Sequence, residues 1–375
     1  MQFRDLKKQY QVLKSKMDDA VIQVMTDCNF ISGQQVKDLE SRLAAYVGVK
    51  HCITCANGTD ALTLCMMALG VHSGDAVFVP DFTFFSSGEV VSFEGATPVF
   101  VDVSAETFNM DPSCLEKAIK AVQAEGKLNL KAVIAVDLFG LPYDADAIND
   151  IAHRNGMTVV EDGAQGFGGI YDGKVACSLG DISTTSFFPA KPIGCYGDGG
   201  AIFTNDDDTD SLLRSLCVHG KGSFKYDNVR IGMNSRLDTI QAAVLLVKLE
   251  AFEQHELADV NKAASWYDSF LRDAVIIPVV GEKFHSSWAQ YTIQLKSEEQ
   301  RNGLQSYLKE KGIPSMVYYP KPMHKQQAFG SDKHYIDCPV TEKLCQTVLA
   351  LPMHPYLDQE TCSSVAEKIK EYLIK

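Results

Sequence analysis

Residues 184–191 read Thr184-Thr185-Ser186-Phe187-Phe188-Pro189-Ala190-Lys191, and after Pro192-Ile193 the chain runs into Gly194-Cys195-Tyr196-Gly197-Asp198-Gly199-Gly200. A surface lysine usually stands among other charges, whereas Lys191 lies in an uncharged run of small, aromatic and glycine residues. Poor solvation of the ammonium lowers its pKa. An unprotonated amine attacks an aldehyde, which is the requirement for holding pyridoxal 5'-phosphate as a Schiff base. A lysine that only caps a loop has the same local sequence, so the rest of the chain must decide.

Upstream, apolar runs of strand length (52–56, 76–79, 98–101, 132–136, 158–161) alternate with segments 59–69, 112–122 and 144–155, whose apolar residues recur at three and four. That alternation predicts an α/β fold with a mostly parallel central sheet covered by helices, and ligands at the strand C-terminal ends. Leu6, Tyr10, Leu13, Met17, Val21 and Val24 make an apolar stripe on an N-terminal helical arm that ends at 29–33. Beyond strand 200–204 come a helix over 208–218, a loop over 220–227 and a long helix over 235–255. The division is placed near the end of that helix, giving a large domain over 1–250 and a smaller C-terminal α+β domain over 251–375.

The chain has 375 residues, 46% of them hydrophobic, and a formal net charge of −13. An acidic surface argues against nucleic acid or an anionic membrane as partner. The start carries no apolar signal region and no later run of about 18 apolar residues can cross a bilayer, so a cytoplasmic location is expected. Eleven cysteines show no zinc-site spacing and read as buried thiols, with no metal expected. Cys52 and Cys55 have redox spacing, but in a strand they face opposite ways and read as core.

Asp162 ends the 158–161 run, where a carboxylate can hold the pyridine nitrogen of the cofactor protonated; it can equally cap a helix. Gln165 follows one turn on, within reach of the ring oxygen. Asn57-Gly58-Thr59-Asp60 joins a strand to a helix, so its N–H groups and the Thr59 hydroxyl can cradle a phosphate, although the string also reads as an ordinary capped helix start. Ser186 offers a second hydroxyl, or is simply a strand serine. Phe84, between a strand and a helix, can lie on a planar ring, or fill core. Asn234 and Arg236 stand at the mouth of the long helix, where capping and surface residues are also usual.

In this order the pieces resemble the sugar aminotransferases of the DegT/DnrJ family, of the fold type I group dependent on pyridoxal phosphate, over nearly the whole chain. The stretch 186–206 is similar to the family's Schiff-base segment. The resemblance implies that Lys191 binds the cofactor and shuttles protons, that Asp162 partners the ring nitrogen, that Gln165 touches the ring oxygen and that Phe84 stacks. It further implies a phosphate cup of Gly58, Thr59 and Ser186, completed by Asn234 from a second subunit, hence a homodimer with shared active sites. Ser32-Gly33, residues 57–62, 230–238 and 351–357 resemble members that aminate C3 of a UDP-linked 3-keto N-acetylglucosaminuronate for bacterial surface polysaccharides. L-glutamate is the amino donor the resemblance implies. Where those members often have His-Tyr-Pro, this chain has Tyr318-Tyr319-Pro320-Lys321-Pro322-Met323-His324. Arg236, Tyr318, Tyr319, Lys321 and His324 are the expected substrate contacts, because an acidic protein must gather positive charge where an anionic nucleotide sugar docks; each charged one also reads as plain surface. Alternatives are C3 or C4 amination of another UDP- or dTDP-linked keto sugar, and a non-catalytic cofactor-binding regulator. A sugar dehydratase of the same family carries histidine at the lysine position, against Lys191.

Overall fold

The computed structural model describes residues 1–224, 226–330 and 333–374. Its strands in chain order are β1 (His51–Cys55), β2 (Asp75–Pro80), β3 (Thr97–Val101), β4 (Asn129–Val136), β5 (Thr158–Asp162), β6 (Ile170–Tyr171), β7 (Lys174–Val175), β8 (Ile182–Ser186), β9 (Gly200–Thr204), β10 (Phe284–His285), β11 (Tyr291–Gln294) and β12 (Val348–Leu351). The helices are α1 (Leu6–Asp27), α2 (Gln34–Val47), α3 (Gly58–Ala68), α4 (Ser86–Phe93), α5 (Pro112–Glu125), α6 (Ala145–Arg154), α7 (Asp207–Leu216), α8 (Thr239–Ala251), α9 (Leu257–Leu271), α10 (Glu298–Glu310), α11 (Pro339–Thr347) and α12 (Gln359–Ile374).

Seven strands form the central sheet in the order β1-β9-β8-β5-β4-β2-β3. Only β9 runs against its neighbours, so the mostly parallel sheet expected from the alternating runs is what the chain forms. Side chains along a strand point alternately to its two faces. Val77, Val79, Ile134 and Val160 therefore join one core with α3, α4 and α7 residues such as Leu64, Val90 and Leu213. Their neighbours Ala76, Phe78, Val133 and Val159 join the other, against Leu115, Ile119, Ile148 and Ile151 of α5 and α6. Burial on both faces is why these strands read as unbroken apolar runs. The crossover helices start where carboxylates and amides can cap them: Asn57 accepts from Asp60 N, Asp111 from Cys114 N and Asp144 from Ala147 N.

Three features depart from the sequence reading. A whole helix, α2, lies between the arm and β1, burying Leu39, Leu43 and Val47. The helix expected over 235–255 begins at Thr239 and continues through a π-helical turn at Phe252–Glu256 into α9, without leaving helical backbone angles at the junctions. Its first part packs in the core with α2, through Leu245 and Leu249. Its second packs Val260, Ala263 and Tyr267 against the β11/β12 pair and α10 and α12. Finally, Cys28 is exposed and Cys114 half-buried, while the other cysteines are buried. Cys52 and Cys55 lie in different cores, as strand alternation requires.

Candidate functional site

Parallel strands bring the ends of β1, β2, β4, β5 and β8 to one edge of the sheet, and the candidate residues gather there. Asp162 closes β5, is 6% exposed, and pairs in register with Thr184 of β8. Its Oδ2 accepts from Ser87 Oγ at 2.8 Å and its Oδ1 from the Ala164 N–H at 3.2 Å. Burial pushes this carboxyl up, while the Ser87 hydrogen bond and the Lys191 charge act the other way. Lys191 lies in the loop after β8, within electrostatic range of Asp162. Burial pulls its ammonium down to about 8, with Asp162 opposing and Arg4 adding to the shift. The residue as a whole is half-buried, and its amine is poorly solvated.

The loop that carries Lys191 is held through its backbone. The Lys191 N–H donates to Phe188 O at 2.9 Å, and Cys195 N to Phe187 O at 2.8 Å. Arg4 Nη2 donates to Lys191 O at 2.7 Å and Pro192 O at 3.1 Å, and Lys248 Nζ donates to Gly194 O at 2.5 Å. A Cβ on Gly194 would stand 2.5 Å from Pro189 O, so only glycine lets the loop fold back on itself. Neither Arg4 nor Lys248 was legible as a site residue: one precedes a helical arm and the other sits in an apolar helix.

The turn into α3 and the end of β8 meet closely. A Cβ on Gly58 would stand 2.7 Å from Ser186 Cβ. Thr59 Oγ1 and Ser86 Oγ are 2.8 Å apart, so α3 and α4 both direct a hydroxyl into the cradle beside the α3 N-terminus. Ser86 and Ser87 were missed; the signal was a pair of hydroxyls directly after the aromatic run 82–85. Phe84 is 53% exposed at the rim, its ring 6.4 Å from that of Tyr319. Gln165 accepts from Phe139 N at 2.9 Å through Oε1 and donates to the Tyr319 hydroxyl at 3.1 Å, which leaves one amide N–H for a ligand. A basic loop, a buried carboxylate, an exposed ring and a cradle that any Cβ would fill suit a flat, phosphorylated aldehyde.

The expected substrate residues fall less neatly. Tyr319 joins the cluster, Tyr318 packs edge-on to Phe3, and Lys321 is exposed. Asn234 is exposed and accepts from Arg236 Nη2 at 2.7 Å, so in this chain it is engaged by Arg236 and not by Gly58, Thr59 or Ser186. His324 is turned inward. Its N–H and Nδ1 meet the two oxygens of the buried Asp81 carboxylate at 2.9 and 2.6 Å, and its Nε2 lies 3.3 Å from Glu342. Those carboxylates hold the imidazole above its ordinary range, the Asp81 hydrogen bond most of all. Cys338 brings a third ligand-type atom within 4.8 Å of Asp81 and His324, while both imidazole nitrogens already face carboxylates.

The model of the DegT/DnrJ/EryC1/StrS aminotransferase family matches residues 11–370. The chain is 46% identical to a UDP-2-acetamido-2-deoxy-3-oxo-D-glucuronate aminotransferase of Pseudomonas aeruginosa, over 96% of each chain. A crystal structure of a DegT DnrJ EryC1 StrS aminotransferase from Brucella abortus superposes with a TM-score of 0.97 at 45% identity, covering 100% of both chains. DesV of S. venezuelae, solved in complex with a ketimine intermediate, superposes with a TM-score of 0.93 at 33% identity, covering 100% of this chain and 98% of its own.

Proposed function

The chain belongs to the DegT/DnrJ/EryC1/StrS aminotransferase family, and we propose that it carries the amino group of L-glutamate to C3 of UDP-2-acetamido-2-deoxy-3-oxo-D-glucuronate. It is a pyridoxal-phosphate-dependent sugar aminotransferase of the fold type I architecture. The observation that carries the chemistry is the Lys191 amine, lowered to about 8 and facing a buried Asp162. The sugar rests on the 46% identity, spread over 96% of the chain, to the Pseudomonas aeruginosa enzyme of that name.

When bound, the cofactor supplies a ring that takes up the electron pair left as a proton leaves the carbon beside the transferred nitrogen. The chain does the rest. Lys191 Nζ, poised near its deprotonation point, accepts that proton and returns it to a different carbon. Asp162 holds the ring N–H, and Ser87 and the Ala164 N–H fix the plane of its carboxylate. Gly58, Thr59, Ser86 and Ser186 take the phosphate at the α3 N-terminus, where helix partial charge favours an anion. Phe84 would cover one ring face and the spare Gln165 N–H would meet the ring oxygen. Arg236, Lys321, Tyr318 and Tyr319 border the sugar nucleotide. His324 serves them as the anchor that docks residues 318–324 on Asp81.

The active protein in this reading is a homodimer with shared sites, in the cytoplasm, feeding a bacterial surface polysaccharide such as O-antigen. Among the described residues no helix is long and apolar enough to cross a membrane. The segment around Asn234 supports the dimer: Phe224, Val229 and Ile231 are 75%, 56% and 86% exposed, more apolar surface than a free loop usually offers. Mixing Lys191→Ala and Asn234→Ala chains tests it, because shared sites regain activity in the mixture and self-contained sites do not. The reaction is tested by visible absorbance: glutamate should bleach the lysine-bound chromophore, and only the UDP-linked 3-oxo uronate should restore it. Restoration by a dTDP-linked or 4-keto sugar instead overturns the substrate, and a chromophore unmoved by glutamate overturns the transfer itself.

A further inference from the structure

Behind Asp162 lies a second carboxyl that the reaction does not use. Asp137 follows β4, is fully buried, and its N–H donates to Asp162 O at 3.1 Å, which sets the two residues side by side across the sheet. Its Oδ1 accepts from the Tyr143 N–H at 3.0 Å. Its Oδ2 has no hydrogen-bond partner so long as both it and its neighbours are counted as carboxylates. That oxygen lies against Gly166, where a Cβ would overlap the Asp137 side chain, and near Gly163, whose Cβ would stand 3.6 Å from it, an ordinary contact. Its neighbour in the electrostatic sense is Glu161, on β5.

Glu161 is the acceptor of the pair. It is fully buried and accepts from Cys177 N at 2.5 Å, Leu179 N at 2.7 Å, Gly180 N at 3.1 Å and Ser183 Oγ at 2.7 Å. Three backbone N–H groups and a hydroxyl aimed at one carboxyl mark it as an acceptor. A proton on Asp137 resolves the unpartnered oxygen, since an acid O–H donates where a carboxylate can only accept. The other titratable groups facing Asp137 are Asp162, Tyr143 and Cys177, and burial pushes the phenol and the thiol up, so they stay neutral. Burial and the Glu161 charge push Asp137 itself up, in agreement with the hydrogen-bond pattern.

We propose that Asp137 is a positioning residue held as a neutral carboxylic acid, its Oδ2–H donated to Glu161, so that Asp162 alone presents negative charge to the bound cofactor. The inference rests on the cofactor site described above, not on the identity of the sugar. The same side chain organises the turn at 138–143, from which Phe139 N reaches Gln165, and so it sets two cofactor contacts from behind.

The test is infrared spectroscopy of wild type and Asp137→Asn, with a pH titration of the bound chromophore. An acid carbonyl band should persist in the wild type, without substrate, several units above the ordinary carboxyl pKa of about 4, and should vanish in the Asn variant. Because Asn is neutral like the acid it replaces, the chromophore pKa should stay where it was. A charged Asp137 would support the protonated ring, so its loss would lower that pKa by about 1 unit or more; that result, or an acid band that survives in the variant, overturns the proposal. Should the variant not fold, the wild-type band still decides, because its absence alone refutes a neutral Asp137. No sugar is present in either measurement, so failure here leaves the substrate reading untouched.

Discussion

Replacing Ser87 by alanine removes a hydroxyl whose one evident task is to hold Asp162. The hydrogen bond is 2.8 Å long, to a carboxylate 6% exposed, and among the described residues Thr83 is the only other side chain bonded to that hydroxyl. A hydrogen bond to a charged group contributes about 1.5–3 kcal/mol. If Asp162 must be ionised and fixed in plane while the proton moves, that loss appears in the transition state, as a fall in kcat of about 10- to 150-fold at 1.36 kcal/mol per tenfold. The direction with pH is also set. The Ser87 bond lowers the Asp162 carboxyl against the upward push of burial, so without it the carboxyl rises and the acid limb of the kcat profile moves to higher pH. The loss should therefore deepen as pH falls, with KM for glutamate nearly unchanged. Steady-state kinetics from acid to alkaline pH check this, alongside the cofactor spectrum. A variant that loses the same factor at every pH, or less than about threefold, refutes the claim that Ser87 acts through the charge on Asp162.

Apoprotein should capture pyridoxal phosphate, as a borohydride-reducible adduct, with a rate that titrates near the about 8 of Lys191 and not near 10.5; Lys191→Ala should give no adduct. Gly58→Ala puts a Cβ 2.7 Å from Ser186, an overpacking that costs about 1–3 kcal/mol and should weaken cofactor affinity in an absorbance titration while leaving the apoprotein folded. His324 has a raised folded-state pKa, so its contribution to stability is full below the unfolded value of about 6.5 and is lost as pH rises through the folded one. The difference in Tm between wild type and His324→Asn should accordingly shrink from acid to alkaline pH, and a constant difference would show that the imidazole charge is not what binds it to Asp81.

The parallel sheet was legible because strands buried on both faces leave unbroken apolar runs; Asp162 and Gly58 stood out because each follows such a run, and Lys191 because it is the one cation in an uncharged stretch that leads into glycines. The α2 helix was written just as plainly, in Leu39, Leu43 and Val47 and in the left-handed Gly48 that ends it, but charged residues stand between those apolar positions. The residues that complete the site were harder. Ser87 looks like any helix serine, and Arg4 like any charge on an arm, until folding brings them to Asp162 and to the Lys191 loop. His324 shows the converse error: its positive charge was visible, but its direction depends on Asp81, 243 positions away along the chain. Asp137 is the extreme case, since nothing in the string Val136-Asp137-Leu138 separates a buried acid from a surface one.

Arg4, just before α1, and Lys248, within α8, both donate to carbonyls of the loop at 191–194. Lys191 thus has its peptide clamped, and the clamp takes hold of the backbone and not of the four-carbon stem. A proton carrier has to visit two carbons without losing its place between visits, and that calls for a stiff fulcrum and a supple lever. The fulcrum here is assembled from cations at positions 4 and 248, so the first residues of the chain belong to the machinery as fully as the lysine they steady.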